Sequence, residues 1–588
     1  MASEPIDNPS PDALQALYTS WRSLIDQTYL HVSNASVLAT TGASYDQELE
    51  SALAVASLST MRAGRNDRVT INCLSPELIA HIFGFLSFDE IPGPIQGACS
   101  LGKSYSPGSR HTRYSLGWIK VSHVCQLWRA VALAHSTLWG VDIGSLPGWT
   151  EERLRRSQSA PIDVVIRSTD ENCIKKEMVS CLLSQLHRTR KLDVSCLADV
   201  NMGCGTGEHI LSFLSARAPL LESFSLTFGL RNTMAQSDNL GLPEDFLTTN
   251  TPRLRSLRLR NVPLPWNCLL PRSLTELCLC LDLPSSRWYI LSPLGYCRSG
   301  LLSILSQLPQ LQVLQLTHSI PKPSSKSPAK EPTQPILLPN LRRLKIEAVA
   351  FDCAWFLEHV ALSASAQVII EMPYVYSHSH LEQIGRSLLG IAPIESISLS
   401  TELPVCVKGW KKPEESTTQG ARYDFAENST VFQLIFCSMG PLHTMKAILH
   451  GLFGRRQIPS IKALRVEGIF DPSYWPQLSA LLCAVDYISI DSSPLRLFMK
   501  CLAGLDWYGN FQVDLLIFPQ LHIVHFIDAM LSADSALLLL QALDQRRKRS
   551  MPIQELEFRT HESISRFASL IREAVPRVSF YDVNPSPA

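Results

Sequence analysis

Few histidine and cysteine residues of this chain stand at spacings that could serve catalysis or metal binding. His378-Ser379-His380 could direct two imidazoles at one metal ion, and Cys278-Leu279-Cys280 would place two thiols on one face of a strand. Neither pair is joined by a second pair of ligands, so we interpret the histidines as a polar turn and the thiols as strand residues. The glycine-rich run Gly203–Gly207 lacks the Gly-x-Gly-x-x-Gly spacing of a dinucleotide site and predicts a loop.

Two common catalytic motifs are missing from the sequence, which contains no Gly-x-Ser-x-Gly and no His-Glu-x-x-His. Its one match to the phosphate-loop spacing Gly-x-x-x-x-Gly-Lys-Ser, Gly97–Ser104, lies within the Gly/Ser-rich insertion at residues 92–117. We therefore expect that the protein is not an enzyme and that it binds no cofactor and no metal. The alternative is an enzyme whose Cys, His and Asp residues are dispersed along the chain, which would require a convergent polar pocket with perturbed titratable groups.

Composition narrows the classes of partner. The chain has 588 residues, 53 Lys+Arg against 53 Asp+Glu, and 45% apolar residues, which excludes wholesale disorder. Zero net charge argues against nucleic acid as a partner, and apolar runs such as 536–540 are far too short to span a membrane. The acidic N-terminus does not resemble a signal peptide, so we expect an intracellular protein, cytoplasmic and/or nuclear, with its 16 cysteines reduced. The basic run Arg546–Arg549 is interpreted as a helix end rather than a nuclear-import signal.

One phrase, Pro-x-Leu-x-x-Leu-x-Leu, recurs along the chain and predicts a series of β-strands. Any functional surface of this part of the chain would be built on those strands. Leu257 and Leu259 are two apart and share one strand face, while Arg258 points to the opposite face. The leading proline ends a preceding helix and fixes the turn into the sheet. Looser copies begin at Leu274, Ile394 and Ile553, and Val368–Ile370 and Tyr487–Ile490 are predicted as further strands. The full copies are 219–226, 252–259, 309–316, 339–346, 459–466 and 519–526.

These copies predict an α/β fold, with an irregular leucine-rich-repeat-like solenoid of parallel strands backed by helices over residues 144–582. Two polar, proline- and lysine-containing tracts, 320–335 and 407–428, are predicted as surface insertions because the repeat resumes after each. A solenoid offers an extended surface rather than a deep pocket, which suits the binding of a protein substrate. Arg258, Lys345 and Arg465 occupy matching outward positions and are the candidate substrate-binding residues, suited to an acidic or phosphorylated segment; the alternative is unrelated solvated charges.

The N-terminal part is predicted to be helical. Residues 1–68 form a helical and partly disordered segment, with one helix from Leu14 and a second from Ser44 to Met61. Ser75 is the predicted N-cap of a following helix with Pro76 in its first turn, and its apolar stripe is expected to contain Leu78, Ile79, Ile82, Phe83 and Leu86. After a Gly/Ser-rich insertion, residues 118–132 predict a helix on which Val121, Val124, Cys125, Trp128 and Ala132 share a face.

Together these segments resemble an F-box. That family has Leu-Pro-x-Glu before an Ile-Phe-x-x-Leu helix, then a Val-Cys-x-x-Trp-Arg helix and a Leu-Trp close, and the match covers about Ile71–Trp139. Here Ser75 separates Leu74 from Pro76, and residues 92–117 form a long insertion. The F-box is assigned to residues 69–143, and its pairing with leucine-rich-like repeats is similar to the large F-box families of mushroom-forming fungi.

The resemblance implies a substrate-recognition adaptor of an SCF (Skp–cullin–F-box) ubiquitin ligase, in which the F-box docks on the Skp-type adaptor and the repeats bind a protein substrate. Without the family match, an apolar stripe of this kind is ordinary core. The alternative function is a non-catalytic interaction scaffold with a vestigial F-box. Carried over residue by residue, the adaptor-binding positions are Leu74, Pro76, Glu77, Ile82, Leu86, Val124, Cys125 and Trp128.

Overall fold

The computed structural model divides the chain into two compact units, 1–163 and 164–588. The domain boundaries predicted from the sequence stay a prediction, and the helix expected from Leu14 lies outside the described residues apart from Ser23. The structure describes residues 23, 44–66, 68–95, 114–168, 176–197, 206–229, 242–243, 245–262, 264, 268–282, 297–323, 334–373, 378–402, 404–411, 425, 430–437, 448–453, 457–468, 471, 473–491, 495–505, 517–527, 532–559 and 567–581.

The first unit is helical. The predicted second helix is confirmed and runs five residues further than expected, to Asn66. Short 3-10 helices lie at Thr70–Cys73, Gly117–His123 and Pro147–Trp149. A two-residue antiparallel pair, β1 (Gly93–Pro94) and β2 (Tyr114–Ser115), accompanies the helices. The α-helices are α1 (Ser44–Asn66), α2 (Pro76–Asp89), α3 (Gln126–Ala134), α4 (Ser136–Trp139) and α5 (Thr150–Ser157).

The second unit is built on a large, mostly parallel sheet, which confirms the α/β class. It has sixteen strands among the described residues and follows chain order except around β14, which pairs antiparallel with both neighbours. A separate parallel pair joins β9 (Ile336–Leu338) and β11 (Val360–Leu362). The sheet strands are β3 (Ile162–Ser168), β4 (Thr189–Cys196), β5 (Ser223–Phe228), β6 (Ser256–Arg260), β7 (Glu276–Cys280), β8 (Val313–Thr317), β10 (Arg343–Glu347), β12 (Gln367–Met372), β13 (Ser396–Ser400), β14 (Val405–Trp410), β15 (Thr430–Phe436), β16 (Ala463–Glu467), β17 (Tyr487–Ile490), β18 (Ile523–Ile527), β19 (Glu555–Arg559) and β20 (Arg577–Tyr581).

Every copy of the repeated phrase forms a strand that begins two residues after its first aliphatic position. In the copy before β6 the chain turns first, where the Leu254 amide donates to Thr251 O at 3.2 Å with Pro252 inside the turn. Proline suits that place because its fixed φ matches the second residue of a β-turn. On β6, Leu257 and Leu259 are buried while Arg258 is exposed, so the strand alternates as expected.

Nine α-helices are described in the second unit, and buried aromatic side chains join helical turns to the sheet. Phe224 of β5 lies edge-on to Phe246, in a π-helical turn, at 5.1 Å between ring centroids. The helices are α6 (Lys176–Leu183), α7 (Thr206–Phe213), α8 (Arg298–Ser306), α9 (Ala350–His359), α10 (His378–Ile391), α11 (Tyr474–Leu481), α12 (Leu495–Leu502), α13 (Ala533–Lys548) and α14 (Ala568–Ala574).

Three of the sequence predictions, two strands and one insertion, fall within these elements. The two strands expected between full copies are confirmed as β12 and β17. The start of the second predicted insertion is wrong, because residues 407–410 belong to β14, where Val407 and Trp410 are buried. Its antiparallel pairing lets a strand that lacks the repeated phrase enter the sheet between β13 and β15.

The basic run at the end of α13 is a helix end with a structural arginine. The Arg546 side chain is fully buried and is held by carbonyl oxygens, so it is not part of an accessible basic cluster. Its guanidinium donates hydrogen bonds to Ile517 O at 2.9 Å, Phe518 O at 3.0 Å, Leu521 O at 3.2 Å and Met551 O at 3.1 Å.

Candidate functional site

The first unit has a compact aromatic core. Trp118 and Trp139 are fully buried and meet edge-on, with ring centroids 5.1 Å apart. The Trp139 indole nitrogen donates to the carbonyl oxygen of Ala132 at 2.8 Å, which fixes the end of α3 over α4. Ile79 and Phe83 of α2 complete this core at 1% exposure each. The residues that the family pattern places in its helices therefore form one packed body.

Helix α2 carries apolar side chains on two faces, and only one of them is core. The expected single stripe is wrong, because Ile79 and Phe83 are buried while Leu78 and Ile82 are exposed. Phe85 lies seven residues after Leu78 and three after Ile82, so these three side chains share the outer face. Phe85 is 68% exposed, which leaves most of its ring in solvent. Exposed apolar side chains that share one helix face form a patch, and such patches are typical of interaction sites.

The start of α2 matches the predicted cap. Ser75 occupies the N-cap position and Pro76 the first turn, although the serine side chain makes no capping hydrogen bond to the helix backbone. The pKa of Glu77 is lowered, first by its own backbone amide and then by the Ser75 hydroxyl. Leu74, Pro76 and Glu77 are all exposed, at the end of the helix that also presents Ile82.

The second family segment is not one continuous helix. A 3-10 helix ends at His123, and Cys125 has extended backbone before α3 begins at Gln126. The predicted shared face is therefore wrong: Val121 and Ala132 are buried, but the break turns Val124 outward to 60% exposure. Val124 joins the exposed apolar residues of the first unit.

Three of the predicted adaptor-binding residues are partly buried instead of exposed. The Cys125 sulfur caps α3 by accepting from the Trp128 amide at 3.4 Å. Trp128 lies edge-on to Phe83 at 5.2 Å, and its indole nitrogen donates to Asn72 Oδ1 at 2.7 Å. Leu86 and Trp128 both pack against the buried core. These three residues hold α2 and α3 in place and contribute less to the exposed face of the first unit.

We define the apolar surface as five of the exposed apolar residues of the first unit: Leu74, Leu78, Ile82, Phe85 and Val124. Leu74, Ile82 and Val124 are positions of the family motif, whereas Leu78 and Phe85 were not among the predicted site residues. Leu78, Ile82 and Phe85 stand at positions i, i+4 and i+7, which lie on one helix face. This spacing was the sequence signal that could have identified them as one surface.

The two chain segments that flank residues 96–113 are paired with each other. Gly93 and Pro94 pair with Ser115 and Tyr114 in β1 and β2. Directly after this pair, the Trp118 amide donates to Glu90 O, the residue that follows α2, at 2.8 Å. These contacts join the residues on either side of 96–113 to each other. The number of residues in that stretch therefore does not set the positions of α2 and α3.

The three candidate substrate-binding cations lie in one row across the outer face of the sheet. Successive Cα partners connect Arg258 through Cys278 and Gln315 to Lys345, and further strands continue the row to Arg465. Each cation is held by a carboxylate: Arg258 by Glu276 at 2.7 Å, Lys345 by Glu371 at 2.9 Å and Arg465 by Glu467 at 2.6 Å. The row is therefore a series of ion pairs along a polar face.

The cysteine and histidine pairs with metal-ligand spacing belong to ordinary secondary-structure elements. Burial raises the pKa of the Cys278 thiol to about 12 and of the Cys280 thiol to about 11, so both stay protonated in β7. His378 and His380 stand in the first turn of α10 instead of the predicted polar turn. The described ranges contain no group of three or more His, Cys, Asp or Glu residues that could hold a metal ion. Among the described helices, none has the length and apolarity to cross a lipid bilayer.

Neither protein-family models nor curated protein sequences give a match to this chain.

Proposed function

We propose that this chain is the substrate-recognition adaptor of an SCF-type ubiquitin ligase. In this proposal the F-box of the first unit docks on the Skp-type adaptor, and the sheet of the second unit is an irregular leucine-rich-repeat-like solenoid that receives a protein substrate. The protein performs no chemistry itself; it joins the substrate to the ligase.

The division of the motif residues between core and surface carries the proposal. Ile79, Phe83 and Trp139 make the core, so the unit is packed without help from its remaining apolar side chains. Leu78 and Phe85 nevertheless stay more than half exposed. Burying the five side chains of the apolar surface would stabilise a complex through the hydrophobic effect, at about 25 cal/mol per Å² of apolar area. A helical partner that presents apolar grooves matches this arrangement.

The polar face of the sheet supports a protein substrate. Its side chains alternate with the buried row and remain partly accessible, and they supply paired charges and amides instead of one deep cavity. A substrate segment that carries its own charges could exchange partners with pairs such as Arg258–Glu276.

Co-elution of purified wild-type chain with a Skp-type adaptor and a cullin tests the proposal. We expect a ternary complex on size exclusion for the wild type and none for Ile82→Asp, because a carboxylate would be buried against an apolar partner. Leu570→Asp places the same charge on an exposed leucine of the second unit and should leave the complex intact. A wild-type chain that fails to bind the adaptor would favour the scaffold with a vestigial F-box.

A further inference from the structure

A groove with a volume of about 670 Å³ lies in the first unit, between α1 and the segment that leads into α3. Val55, Leu58 and Arg62 line one wall, and His123, Val124 and Arg129 line the other. The walls are joined where Gln126 Nε2 donates to Ser59 Oγ at 3.3 Å. The groove is thus part of the described fold of the unit and does not depend on the second unit.

The side chains that line the groove include basic and aliphatic groups. Two guanidinium groups and an imidazole accompany four aliphatic side chains, and no aspartate or glutamate is among the described residues that line the groove. Leu58 and Val55 are 53% and 67% exposed, so α1 presents apolar area that the unit leaves uncovered. A segment that carries carboxylates together with aliphatic or aromatic side chains complements both properties.

The groove adjoins the proposed docking surface, because Val124 belongs to both. We propose that the groove binds an acidic, apolar-containing segment of the same partner that covers the apolar surface, so that α1 forms a second half of the adaptor interface. This inference rests on the proposed function. It assigns a binding role to a helix outside the F-box motif and states the chemistry of the partner segment.

Affinity of the purified adaptor for the full chain, measured by calorimetry at low and high salt, tests the inference. At low salt we expect Arg62→Glu to weaken binding by about tenfold or more, because it opposes the partner's carboxylates, and to flatten the salt dependence. Arg65→Glu has the same charge change on an exposed α1 residue that does not line the groove, and should weaken binding by less than about threefold.

A second pair of variants tests the apolar component. Leu58→Asp should weaken adaptor binding by about tenfold or more, whereas Met61→Asp, exposed on the same helix but outside the groove, should leave it nearly unchanged. Circular dichroism of all four variants checks that α1 is retained.

Adaptor binding equal to wild type in both Leu58→Asp and Arg62→Glu would overturn the inference while leaving the proposed function standing. A wild-type chain that does not bind the adaptor overturns both. Groove variants that change self-association on sedimentation, with adaptor affinity unchanged, would assign the groove to a second copy of the chain and also overturn the inference.

Discussion

The indole nitrogen of Trp128 donates a hydrogen bond to Asn72 Oδ1 at 2.7 Å, across 56 positions of sequence. Asn72 in turn donates from Nδ2 to Asn66 O, the last residue of α1, at 2.7 Å. One asparagine therefore links α3 to the end of α1 through the 3-10 turn that precedes α2. This link fixes the element that carries Val124 relative to the helix that carries Leu58.

Removal of the indole donor should loosen this link. We expect Trp128→Phe to lower the free energy of local opening of α3 by about 1–2 kcal/mol, because it leaves the Asn72 oxygen without its donor. Hydrogen exchange of the α3 amides measures this. A double-mutant cycle with Asn72→Ala should give a coupling energy of about 1 kcal/mol, and additive effects would show that the bond contributes nothing.

The segment between β1 and β2 should be dispensable for folding and for adaptor binding. Replacement of residues 95–113 by Asn-Gly closes β1 and β2 as a two-residue hairpin, which should leave folding and adaptor affinity unchanged within about twofold. Gly117→Ala is the contrasting variant, because Gly117 has φ +53° and an added Cβ would meet Glu90 O. Thermal unfolding of the first unit compares the shortened chain with Gly117→Ala. A shortened chain that does not fold would contradict the prediction that pairing of β1 with β2 is enough to close this segment.

Arg546 should be essential to the second unit. We expect Arg546→Met to lower its free energy of unfolding by about 3–5 kcal/mol, because four carbonyl hydrogen bonds are lost in a buried site. Burial lowers the pKa of Arg546 to about 10, so the group remains charged at neutral pH. Arg547→Met alters the exposed neighbour and should change the free energy by less than about 0.5 kcal/mol in urea unfolding.

Because of His318, we expect the free energy of unfolding to decrease at acidic pH. Burial lowers its pKa from an ordinary value of 6.5 to about 4, opposed by the charge of Asp282. As the pH falls from about 6.5 to about 4, the unfolded chain binds a proton that the folded chain does not, so the free energy of unfolding decreases.

His318→Asn should remove about 1–3 kcal/mol of that decrease, measured by urea unfolding at about pH 7 and about pH 4.5. Asparagine is chosen because φ at this position is +51°, which asparagine tolerates. The exposed His187→Asn is the control. Equal pH dependence in the two variants would contradict the account.

The strands that follow a copy of the repeated phrase could be predicted because a local signal precedes each of them. The proline turn and the alternating aliphatic residues specify β6 and its counterparts without reference to distant residues. Strand β14 lacks the repeated phrase and runs directly into Lys411 and a charged, proline-containing sequence, so composition predicted an insertion. Its place depends on pairing with β13 and β15, which no local pattern encodes.

The candidate site could be predicted only in part. The motif locates α2 and its cap, but Leu78, Ile79, Ile82, Phe83 and Phe85 make this helix apolar on two faces. Periodicity then cannot distinguish the core face from the exposed one. Val124 was misplaced for a different reason: the extended backbone at Cys125 interrupts the helical period.

The affinity of a Skp-type adaptor for the variant Leu78→Asp plus Phe85→Asp tests docking through the apolar surface, because both side chains are exposed and the core residues are unchanged. We predict that the double variant folds as the wild type does and loses at least about 100-fold in affinity, while Leu537→Asp, on an exposed leucine of the second unit, binds within about threefold of the wild type. Wild-type affinity in the folded double variant would contradict docking through the apolar surface.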